Sequence, residues 1–234
     1  MKELLLKNNI LPDTLTKAQL ENFEKFTKSA NKKDCSEFED FLVICEQRNR
    51  FVTQSLSSIR SDTHELITQA ISNLESITPK TSDSVLLGFK RPENTEELVS
   101  RHQTLITNIS WIIDKLSSIQ YTCTKIISES DIELYIELKL RTVALSESKE
   151  QPELLGHFQT LSANSEYLDP QKVKDTLINH ASTVEHAIEN LKKLCIDTDL
   201  ALDSTKANNA SLALYDRTAR SYMSILHDIL LTIS

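Results

Sequence analysis

Residues 169–234 read DPQKVKDTLINHASTVEHAIENLKKLCIDTDLALDSTKANNASLALYDRTARSYMSILHDILLTIS, and this stretch decides the fold. Asp169 stands where a helix N-cap belongs. Pro170 follows at the first helical position, where its missing N–H removes no intrahelical bond. A stripe then runs through Val173, Leu177, His180, Val184, Ala187, Leu191, Leu194, Thr198, Ala201, Thr205, Asn208, Leu212, Tyr215, Ala219, Tyr222, Leu226, Ile229 and Ile233. Its steps alternate four and three from end to end, with neither Gly nor Pro after Pro170. Such spacing keeps one seam facing a partner helix, so it predicts a single coiled-coil helix over 169–234, a rod of roughly 95 Å. A helix of that length is held by packing of its stripe more than by propensity. A lone chain carrying it is therefore expected to associate.

The same period recurs upstream. Phe38, Leu42, Cys45, Asn49, Val52, Leu56, Ile59, Thr63, Leu66, Ala70, Leu74 and Ile77 place a long helix in 34–78, with Thr78-Pro79 as its stop. A linker over 79–93 holds the apolar run Val85-Leu86-Leu87-Gly88-Phe89, with Leu86, Leu87 and Phe89 as either an internal plug or a docking loop. Thr78 begins a proline-directed phosphorylation dipeptide. Asn94, with Glu97 three residues later, has the spacing of a capping box.

The helix over 94–150 carries Leu98, His102, Leu105, Ile109, Ile112, Leu116, Ile119, Cys123 and Ile126. The phase then slips by one residue and resumes at Leu134, Leu138, Arg141 and Leu145. Two explanations stay open: a break near 128–131, where Ser130 with Glu133 caps a new helix, or one helix with a supercoil discontinuity. Gln151-Pro152 ends the element, 151–168 reads as a loop with at most a short helix, and 1–33 as short N-terminal helices.

The fold class is all-α, an elongated coiled coil or antiparallel bundle of long helices. Its predicted partner seams are Leu42, Val52, Leu56, Ile59, Leu105, Ile109, Ile112, Leu116, Leu177, Val184, Leu191, Leu194, Leu212, Tyr215, Leu226 and Ile229. Asn49, Thr63, Asn73, His102, His180, Thr198, Thr205 and Asn208 put polar groups into these stripes, a device that lowers stability and selects register or partner.

Composition agrees. Two glycines in 234 residues leave little material for strand turns or phosphate-cradling loops. A hydrophobic share of 39% is lean for a thick core and suits helices that each bury one stripe. The net charge of −8, with Lys32-Lys33 and Lys192-Lys193 as the densest basic spots, argues against direct binding of nucleic acid or an anionic membrane. No run of about 18 apolar residues is present, and the start Met1-Lys2-Glu3-Leu4-Leu5-Leu6-Lys7 is too short a core for a secretory signal. The expectation is a cytoplasmic protein, with the cytoskeleton or spindle as a candidate address.

Chemistry is sparse. Cys35, Cys45, Cys123 and Cys195 lack the short spacing to Cys or His that a zinc site needs, and read as buried thiols. Six histidines (His64, His102, His157, His180, His186 and His227) form no metalloprotease pair, and no Walker, dinucleotide or nucleophile-elbow motif occurs. The reading is therefore no enzyme, with no catalytic residue, no cofactor, no metal and no small-molecule substrate.

In general style this small, acidic, glycine-poor chain with interrupted heptads is similar to subunits of eukaryotic microtubule-attached assemblies such as augmin, kinetochore complexes and dynactin's shoulder. It also looks like vesicle-tethering subunits. That likeness implies a non-catalytic structural subunit of an elongated hetero-oligomeric complex, with other coiled-coil chains as partners. The alternatives are a tethering or adaptor subunit in vesicle traffic, and a helical-bundle enzyme or ligand carrier.

Overall fold

The computed structural model describes residues 2–32, 34–77, 95–148, 150–163, 169–205 and 210–233, without the side chains at 95, 97–98, 204–205 and 210–217. Every regular element among them is helical: α1 Lys2–Lys7, a 3₁₀ turn Pro12–Thr14, α2 Lys17–Ser29, α3 Ser36–Ile77, α4 Thr95–Cys123, α5 Glu129–Ser146, α6 Pro152–Ala163, α7 Pro170–Thr205 and α8 Ala210–Ile233. The chain divides into two compact units. The first comprises residues 1–56 and 125–176, the second 57–124 and 177–234, so α3 contributes residues to both.

Local chemistry sets the boundaries in the first unit. Asn9 takes the left-handed conformation (φ 59°) after α1, and the Ile10 N–H returns to the Leu5 carbonyl, closing the helix. Thr16 and Gln19 form a reciprocal capping box for α2: the Gln19 N–H donates to Thr16 Oγ1 at 3.2 Å and the Thr16 N–H to Gln19 Oε1 at 2.8 Å. Helix α5 lies against α2 and α6. Phe23, Phe26, Phe38, Phe41 and Phe158 fill the core with Leu138, Leu140 and Leu145, and Phe38 meets both Phe26 and Phe158 edge-on.

The sequence left the stretch after Cys123 open, and the structure breaks the helix there. The cap is Ser128, not Ser130, and Asp131 stands three residues on: its Oδ2 accepts from the Ser128 N–H at 2.7 Å and from the Ser128 hydroxyl at 2.8 Å. The one-residue phase slip is thus a new helix start. The stretch over 151–168, expected as a loop with at most a short helix, contains the 12-residue helix α6.

In the second unit four helices share one core. Helix α3 supplies Leu66, Ile67, Ala70, Ile71 and Leu74, and α4 supplies Leu105, Ile109, Ile112 and Leu116. Helix α7 adds Val184, Ala187, Ile188, Leu191 and Leu194, and α8 adds Ala219, Leu226, Ile229 and Ile233. Each set repeats at threes and fours, which turns one stripe per helix inward.

This packing corrects the single rod expected over 169–234. The Tyr222 hydroxyl donates to Asp197 Oδ2 at 2.8 Å. In one continuous helix those residues would stand about 37 Å apart. Helix α8 therefore lies alongside α7 as its antiparallel neighbour. The expected continuity through Asn208 falls on residues 206–209, outside the described ones.

Candidate functional site

Fourteen of the sixteen predicted seam residues are buried: Leu42, Val52, Leu56, Ile59, Leu105, Ile109, Ile112, Leu116, Leu177, Val184, Leu191, Leu194, Leu226 and Ile229. The chain's own helices cover them, with no second chain present. Leu212 and Tyr215 fall where side chains are not described, and Thr78, Leu86, Leu87 and Phe89 lie outside the described residues.

Two of the polar stripe residues, Thr63 and His180, meet inside the chain; the buried Asn49 Oδ1 accepts no hydrogen bond from the described residues. Thr63 on α3 is fully buried; its hydroxyl donates to the Ile59 carbonyl at 2.7 Å and stands 3.0 Å from His180 Nε2 on α7. With the hydroxyl proton already committed, the oxygen accepts, so Nε2 carries the imidazole hydrogen. Burial, with Arg60 nearby, lowers the His180 pKa and keeps the ring neutral. On α4, Asn108 donates to Asn73 of α3 at 3.3 Å. The two asparagines border an open cavity of about 180 Å³, with Ser76, Ser100, Arg101 and Thr104 on its wall.

Two arginines join helices in the first unit. Arg48 of α3 clamps the α4–α5 joint: Nε and Nη2 donate to the two carboxylate oxygens of Asp131, and Nη2 also donates to the Ile126 carbonyl. Burial alone would raise the Asp131 pKa. The Arg48 bonds and the Ser128 N–H and hydroxyl outweigh it and hold the carboxyl below its ordinary range.

Arg141 of α5 is deeper, with a side chain only 7% exposed. Its guanidinium lies over Phe26, Phe41 and Phe38, with centroid distances of 4.2, 4.4 and 5.1 Å. It also pairs with Glu137 at 2.7 Å and donates to the Glu37 carbonyl at 3.1 Å. The sequence placed Arg141 in the apolar stripe. It could not show the three rings, which lie a hundred residues or more away along the chain.

These groups bridge helices; they do not converge on a substrate-sized space. Among the described residues no group of three or more His, Cys, Asp or Glu side chains could hold a metal, and no helix is long and apolar enough to cross a membrane. Cys35, Cys45 and Cys123 are buried, Cys195 is half-buried, and burial pushes the Cys45 thiol up to about 12. Comparison with protein-family models, curated proteins and solved structures finds no match for the chain.

Proposed function

We propose that this chain is a non-catalytic structural subunit of a hetero-oligomeric coiled-coil complex, of the microtubule-attached kind whose general architectural style it shares. One observation carries the subunit reading. The helical stripes are already covered within the chain, yet a second set of large apolar side chains stays at least about half exposed on outer helix faces. It includes Ile44 and Phe51 on α3, Trp111 on α4 and Ile196 on α7. Exposed side chains of this size are available for contact with other chains.

The support for the microtubule-attached kind of assembly is the acidic, glycine-poor, heptad-bearing sequence. A tethering subunit of vesicle traffic is the second reading, on the same likeness. The test is the native mass of the chain in cell extract, with localisation alongside. A stable species well above the 26.6 kDa chain, holding other subunits in fixed ratio and decorating microtubules, is expected. Decoration of vesicles instead would move the proposal to the tethering reading. A monomer in extract would overturn both.

A further inference from the structure

We draw no further inference here: the strongest candidate, the exposed Ile196 and Leu200 patch on the outer face of α7, is flanked by charges of both signs (Lys192, Lys193, Asp199 and Asp203), and nothing in the structure shows what covers it.

Discussion

Arg141 makes the sharpest demand on the first unit. Arg141→Ala removes the guanidinium from three phenyl faces, a contact worth about 0.5–1 kcal/mol per ring. It also removes a buried stem of three methylenes, at about 0.8 kcal/mol each. The ion pair adds little, because Glu137 and Glu37 are 36% and 62% exposed and stay hydrated when the arginine is gone. Arg141→Ala should therefore cost about 4 kcal/mol. Arg141→Met keeps the stem and should cost about 2 kcal/mol. Arg141→Lys keeps the charge but cannot lie flat on the rings while bonding Glu137 and the Glu37 carbonyl, so it should fall between them. Urea unfolding followed by far-ultraviolet circular dichroism measures all three. A methionine variant as unstable as the alanine variant would refute the reasoning, because charge rather than packing would then hold the site.

Other outcomes follow from the same contacts. Leu191→Ala should destabilise the isolated chain by about 2–5 kcal/mol, since Leu191 is fully buried in the core of the second unit; an unchanged melt would place that stripe against another chain. The lowered His180 pKa means the folded ring resists protonation. Its contribution is complete above the ordinary value of 6.5 and is lost as pH falls below it, so thermal stability should decline from pH 7 to 5, and less steeply in His180→Asn. Asp131 works through a lowered carboxylate: its stabilisation is present above 3.8 and lost as pH falls toward its folded value, so Asp131→Asn should flatten the acid limb of a pH titration.

The sequence made the helices legible where periodicity and punctuation agreed. The stripe from Phe38 to Ile77, stopped by Pro79, matches the extent of α3, and Asp169-Pro170 marks the start of α7. The joint before α5 appeared as a phase slip. Its cap was hidden because Ser128 and Ser130 are both plausible by type, and only the bonds to Asp131 choose between them. The hairpin of α7 and α8 was illegible for a different reason. The four-three count continues in phase across the reversal, without Gly or Pro. Seam positions were recognisable as apolar stripes, but spacing alone does not say whether the covering helix belongs to the same chain. The ring cage of Arg141 depends on tertiary proximity and left no local pattern beyond Glu137 four residues earlier.

The central claim is that the long C-terminal stripe folds back and is covered by its own chain. Spin labels at Glu189 and Asp228, both exposed, test it by pulsed dipolar spectroscopy, with the four native cysteines replaced and labelled chain diluted in unlabelled chain. Packed helix axes lie about 8–10 Å apart, so the hairpin predicts label separations below roughly 30 Å. A single rod places the two sites roughly 58 Å apart, and a distance distribution centred there would contradict the account.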